Sequence, residues 1–416
     1  MNVYKGLKRE VLFLAVFRLV SGVGFFVIPY LSLFLTQELE LKADTAGLII
    51  SIANALCVPT LFIGGKLIEK FKSRDTIIST QVISALFYLG VVFFPTYNLK
   101  VVSAIIGFCL ASMAVPAMDK YVSLNTTVET RRSAFSLLYL CQNIGVAIGS
   151  LIVGSIYDAN PYIVFIGDAM TTLVALFLFY LATIHQKEEG VLVEEKVETN
   201  TKQKLKTPWF LYLFMVTILI NTLCYRQLSF MLPIFLKEVT GDGPLLFGIL
   251  MTVNAVICIV FSPLCTGAFK KFRTIIPLIV SQSLFACGYF IYSLPMNRPL
   301  IFGGTIMWSF AEVLFSINYM SFIIENAEVS QVGFLSAKAN SFNRVGAIFS
   351  AYVGGKLLSI AGAASGWRIV SGLMLVSVMI CVYLNFYTKG RKKAAAVDGD
   401  INIVEDNEKI SKEDVI

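Results

Sequence analysis

The 416-residue chain is predicted to be an all-α membrane protein with twelve transmembrane helices in two six-helix bundles. Three observations predict it. Hydrophobic residues make up 56% of the chain and charged residues 15%, against about 25% charged in a soluble domain. Too few polar side chains exist to cover a globule. Apolar runs of about 20 residues, the length that crosses a bilayer as a helix, recur from end to end. The one long polar interior segment, QKEEGVLVEEKVETNTKQKLK at 186–206, has six such runs on each side. A helix satisfies its own backbone hydrogen bonds in lipid, so bundled helices are expected for every run.

In chain order the first six runs cover roughly 10–36, 45–66, 76–97, 101–125, 134–157 and 162–184. The first is too long, and too well followed by others, for a cleaved signal peptide. The fourth opens on fifteen residues without a charge, VVSAIIGFCLASMAV, and closes on PAMDKYVSL. The fifth is marked by Gly145, Gly149 and Gly154, small residues that let helices approach closely. The linker is charge-rich with no apolar periodicity and reads as a flexible connection. Beyond it the runs cover roughly 209–236, 245–269, 275–295, 299–325, 334–358 and 367–388. The expected organisation is therefore 1–185, a linker at 186–207, 208–388, and a disordered tail at 389–416.

Basic residues give the orientation. With the N-terminus inside, the inner segments hold 23 of the 34 Lys and Arg, and the outer loops hold four: Lys42, Lys100, Lys237 and Arg298. That asymmetry follows the positive-inside rule and puts both termini in the cytoplasm. The net charge of +7 reflects topology and argues against a nucleic-acid partner. All eight cysteines fall inside predicted helices, none paired as CxxC, and the only histidine is His185 at a helix end. They read as small packing residues; no metal spacing and no cofactor motif is present. There is no GxSxG or HExxH for an enzyme, and no GxxxxGK[ST] for direct use of ATP.

The two halves repeat. At an offset of 201, TAGLIISI (45–52) meets LFGILMTV (246–253), placing Gly47 on Gly248. At the same offset QNIGVAIGSLIVG (142–154) meets NRVGAIFSAYVGG (343–355), placing Gly145 on Gly346 and Gly154 on Gly355. Parallel six-helix repeats place a substrate site between the halves.

On these features the chain resembles the major facilitator superfamily over nearly its whole length. The segment GGKLIEKFKSR (64–74) is similar to that family's 2–3 loop signature through Gly65, Leu67, Lys70, Phe71 and Arg74, with Glu69 in place of an aspartate. The resemblance implies that Gly65, Glu69, Lys70 and Arg74 act in a cytoplasmic latch, with Lys338 and Arg344 of helix eleven as partners. The segment 131–154 resembles helix five of the drug:proton antiporter branch. It departs at Ser150, where that branch has proline, and Ser103 stands where it has an arginine in helix four.

Charges inside a span are costly, about 2.5–3.5 kcal/mol each on insertion scales, and so mark function. The resemblance implies that helices one, four, seven and ten line a central cavity, and each carries a charge: Arg18, Asp119, Arg226 and Glu312. Helical spacing puts Asp119 on one stripe with Ser112, Pro116 and Ser123, and turns Lys120 about 100° away, as an interfacial anchor. At 1.5 Å per residue, Arg18 and Asp119 lie about 12 and 9 Å in from the cytoplasmic helix ends, and Arg226 and Glu312 about 27 and 21 Å in. Two cross-helix ion pairs are expected, Arg18 with Asp119 and Arg226 with Glu312, with Asp119 ranked first for the proton and Glu312, which shares a face with Trp308 and Ser309, first for substrate. Asn221, Tyr225, Gln227, Trp308, Ser309 and Tyr319 are expected to line the substrate cavity.

The expected function is secondary transport by alternating access, as a monomer in the bacterial-type inner membrane. Proton-coupled efflux of small amphipathic compounds is the first reading. Uptake of a small polar metabolite by symport or facilitated diffusion remains the alternative. A receptor or intramembrane enzyme is a distant third class.

Overall fold

The computed structural model describes residues 6–184, 207–269, 271–295, 297–327 and 331–413, apart from the side chains at 128, 129, 132, 266 and beyond 391. The predicted linker therefore lies outside the described residues except for Thr207. The predicted tail falls mostly where only a helical backbone is described. Ten helical stretches are long and apolar enough to cross a membrane, and Ile275–Ile291 adds a shorter apolar helix. The last stretch, Val332–Arg391, is two helices meeting at Gly362, whose φ of 74° and ψ of 169° interrupt the helical backbone. That conformation strongly favours a residue without a Cβ.

The twelve helices are α1 (Arg9–Glu38), α2 (Ala43–Lys70), α3 (Ser73–Phe93), α4 (Tyr97–Leu124), α5 (Val128–Ile156) and α6 (Ile163–Thr183) in the first half. The second half holds α7 (Trp209–Thr240), α8 (Gly243–Phe269), α9 (Ile275–Ile291), α10 (Arg298–Glu325), α11 (332–361) and α12 (363–413). Two helices predicted as continuous are broken. In α1 the helix lapses at Gly24–Phe26 and resumes at Val27. Pro29 has no N–H to offer the carbonyl four residues back, at Phe25, and its ring crowds that turn. In α7 the helix bends at Arg226. Pro233 likewise frees the Ser229 carbonyl, and Ser32 Oγ from α1 donates to that oxygen at 3.2 Å. A break in one half thus accepts a hydrogen bond from the other.

The internal repeat reappears as packing. A Cβ on Gly47 would run into the carbonyl of Ala351, and one on Gly248 into that of Ser150. A Cβ on Gly355 would meet the Ala43 carbonyl, and one on Gly154 the Pro244 carbonyl. Each of these contacts maps onto its partner by the 201-residue offset read from the sequence. Together they seat α2 against α11 and α5 against α8. Within the halves, Gly145 against Leu19 corresponds to Gly346 against Leu219, so α5 packs on α1 as α11 packs on α7. Glycine at such crossings lets backbones approach where any side chain would hold them apart.

These crossings lie away from the termini, at what we call the far end. Among the described residues, the hydrogen bonds and ion pairs joining the halves all sit there or toward the middle. Tyr30 Oη donates to Pro244 O at 3.2 Å, and Thr252 Oγ1 to Ala147 O at 2.8 Å. Tyr352 N donates to Ser51 Oγ at 2.9 Å. Asp158 pairs with Lys237 at 2.7 Å and Asp44 with Lys356 at 3.3 Å. At the opposite end, among the described residues, no hydrogen bond or ion pair joins Glu69 or Lys70 to the second half. Glu69 and Lys70 are exposed, and a Cβ on Gly65 would meet nothing. Arg74 bonds Asp75 and Thr183 O inside its own half. Lys338 bonds Tyr212 and Thr207 and is thereby tied to α7, so it is no partner of the loop here. Lys120 is an anchor, but to protein: it donates to Ile68 O at 2.8 Å, in the last turn of α2, where carbonyls lack helical donors. All the cysteines are free, and most are buried, as packing residues would be.

Candidate functional site

The breaks in α1 and α7 lie where the two helices face each other across the molecule. Two cavities meet at that level. The smaller, about 240 Å³, lies in the second half and is lined by Asn221, Tyr225, Arg226, Glu312, Ser316 and Tyr319, among others. The larger, about 390 Å³, is lined mainly by the first half and includes Arg18, Gln81, Gln142 and Asp168, together with Arg226 and Arg344 from the second. Arg226 belongs to both.

Glu312 is the best-built polar group. Tyr225 Oη donates to its Oε1 at 2.8 Å and Asn254 Nδ2 to its Oε2 at 2.8 Å. Asn254 also reaches Ser309 Oγ at 3.3 Å, so α7, α8 and α10 converge on one carboxylate. Both donors are neutral, and hydrogen bonds to a charged acceptor are stronger than neutral ones. The carboxylate is oriented without being locked to a fixed cation.

Neither expected ion pair is formed. Among the described residues, no nitrogen of Arg18 lies within ion-pair distance of Asp119, and none of Arg226 within that distance of Glu312. Asp119 is exposed and outside the lining of either cavity. The two arginines, expected at different depths, both line the larger cavity. Arg344, expected as a latch partner, joins them there.

The other predicted residues divide. Asn221, Tyr225 and Tyr319 line the smaller cavity. Gln227 is fully buried and donates to Ser350 O at 2.8 Å, tying α7 to α11. Trp308 is 1% exposed, its Nε1 bound to Tyr292 Oη at 2.9 Å. Ser309 is buried and reaches the site only through Asn254. In this state these three support the cavity wall from behind.

Asp168 and Asn254 were missed from the sequence. Asp168 Oδ2 accepts Val27 N at 3.5 Å, where α1 resumes after its break. Beside it, Gly24 leaves no room for a Cβ against Thr171. The signal was available, since Asp168 is a lone acid in a 21-residue span of hydropathy 2.0, as informative as Glu312. Asn254 carried no such signal, because an uncharged amide in a span is common.

Comparisons with known proteins follow this geometry. The family model described as Major Facilitator Superfamily matches residues 12–351. An uncharacterized MFS-type transporter, YqjV of Bacillus subtilis (strain 168), is 24% identical over 371 residues, covering 86% of this chain and 88% of its own. A Na(+), Li(+), K(+)/H(+) antiporter of Planococcus maritimus is 22% identical over 348 residues, covering 76% and 81%. Among solved structures, the nucleoside transporter NupG superposes with a TM-score of 0.75 at 12% identity, covering 90% of this chain and 99% of its own. A peptide transporter, POT, in complex with sulfate superposes at 0.76 with 14% identity, covering 92% and 95%. At these identities the solved structures speak to the fold.

Proposed function

The chain belongs to the Major Facilitator Superfamily, and we propose that it is a proton-coupled secondary transporter exporting small amphipathic compounds across the cell membrane by alternating access. One observation carries the reading: a carboxylate, Glu312, held by Tyr225 and Asn254 at the bend of α7, beside an arginine shared by two cavities. With both termini inside, as the basic residues favour, the closed far end faces outward. The molecule is then inward-facing, ready to load from the cytoplasm. Rocking of the halves about the glycine crossings would open the far end and close the 2–3 loop against the second half. A single chain contains the whole pathway, so a monomer suffices.

Glu312 is assigned the proton in place of Asp119. A coupling acid must alternate between charged and neutral as access changes, and neither neighbour of Glu312 carries a charge that would fix its state. Asp119 is already open to solvent in this state. Export is supported by the resemblance of 131–154 to the antiporter helix five and by the antiporter among the relatives. Uptake of a small polar metabolite is the second reading. Ser150 favours it, because α5 runs unbroken from Val128 to Ile156 where the antiporter branch has a proline.

Everted membrane vesicles holding an imposed pH gradient test the choice. Export predicts that adding a transported amphipathic compound dissipates the gradient, and that Glu312→Gln abolishes this. Accumulation of a sugar or amino acid by whole cells, without any effect of amphipathic compounds on the gradient, would overturn export in favour of uptake.

A further inference from the structure

The larger cavity differs from the smaller one in the sign of its charge. Three guanidinium groups reach its lining, from Arg18 on α1, Arg226 at the bend of α7 and Arg344 on α11, against the single carboxylate of Asp168. Asp168 faces Val27 N and Thr172 Oγ1 at 3.5 Å, which turns it toward the break of α1. Among the described residues, none of the three guanidinium groups donates a hydrogen bond or forms an ion pair. Each presents five N–H donors, and Arg226 and Arg344 line the same cavity. Arg18 and Arg226 are partly buried and Arg344 is exposed; a partly buried cation without a partner favours a ligand that supplies the counter-charge. The rest of the lining mixes aromatic side chains, Phe17, Phe25 and Phe108 among them, with neutral polar ones such as Gln81 and Gln142. The volume of about 390 Å³ is that of a small-molecule site.

We infer that this cavity binds amphipathic organic anions: a carboxylate or sulfonate held by Arg226 and Arg344 with Arg18 in support, and an apolar body laid against the phenylalanines. Guanidinium forks match such planar or trigonal oxyanions with paired hydrogen bonds, and a cation of the same shape meets repulsion from three sides. The inference rests on the transport reading and narrows its substrate class.

The test uses the purified full-length chain and three aromatic probes of similar shape: 2-naphthoate, 2-naphthalenesulfonate and 2-naphthylmethylammonium. Isothermal titration calorimetry should find the two anions bound at least about tenfold more tightly than the cation. Arg344→Gln, at an exposed position, and Arg226→Gln should each lower anion affinity by about tenfold or more, while Arg344→Lys keeps part of it. Arg298→Gln removes the same charge outside the cavity and should leave binding unchanged. Equal affinity for the cation, no anion binding, or anion binding indifferent to Arg344→Gln and Arg226→Gln would overturn the proposal. Flux in proteoliposomes separates the two readings. Anion binding without movement of any probe sinks transport and leaves the site, whereas movement of the cation without anion binding sinks the site and leaves transport.

Discussion

In the crossing of α2 with α11, Gly47 and Gly355 rest on the carbonyls of Ala351 and Ala43; in the crossing of α5 with α8, Gly248 and Gly154 rest on those of Ser150 and Pro244. The backbones meet in the same way twice. The acids of the two halves do not correspond. Glu312 is held by two donors from neighbouring helices, while Asp119 stands exposed on α4 with no hydrogen-bond partner for its carboxylate among the described residues. The repeat keeps close helix contact at corresponding places, which is what the proposed rocking of the halves requires. The polar side chains differ between the halves, as the proposed function allows with one proton relay and one asymmetric substrate site.

The largest effect should come from the acids. Glu312→Gln is expected to abolish uphill accumulation while leaving substrate exchange across the membrane, measured as counterflow in proteoliposomes. Asp119→Asn should keep its dependence on the pH gradient. The reverse pattern would move the proton to the first half and break the contrast drawn here.

Next in size are the crossings. Gly47→Val and Gly248→Val each force a side chain against a backbone carbonyl. Overpacking of this kind costs about 1–3 kcal/mol, roughly a 5- to 150-fold loss. The two variants should lose transport to a similar degree, and cysteine labelling from the outside should find the far end more accessible in both. If one is tolerated and the other is not, the crossings are not equivalent as pivots, whatever their geometry.

The smallest effect should come from the far-end ion pairs, which the offset does not relate to each other. Asp44–Lys356 and Asp158–Lys237 are partly exposed, and such pairs contribute about 0–1 kcal/mol. Asp44→Asn and Asp158→Asn should change transport less than about fivefold. High salt should weaken the effect further. A large loss from either would mean that this pair, and not the glycine seat, holds the closed state.

Much of this was legible in the sequence. Twelve spans, six on each side of a polar linker, follow from the cost of exposing backbone to lipid. The offset of 201 residues follows from glycines that cannot be replaced where helices touch. The four charged residues of the cavity helices stood out because charge is rare in a span, and by the same argument Asp168 should have stood out with them. Asn221, Tyr225 and Tyr319, expected to line the cavity, do line it.

Three things were decided only in the folded molecule. Arg18, Arg226 and Arg344 share one cavity; Gln227 and Trp308 turn away from it; Asn254 reaches Glu312 from a helix that carries no charge. Helical periodicity fixes the direction of a side chain around its own axis, and in a membrane bundle a polar stripe points inward. It does not say which of several inward neighbours the stripe meets. The breaks at Gly24–Phe26 and at Arg226 then alter the direction on either side, so the angle counted along the sequence no longer carries through. Contact between helices far apart in the chain is set by how two bundles close on their glycine crossings, and that closure exists only in three dimensions.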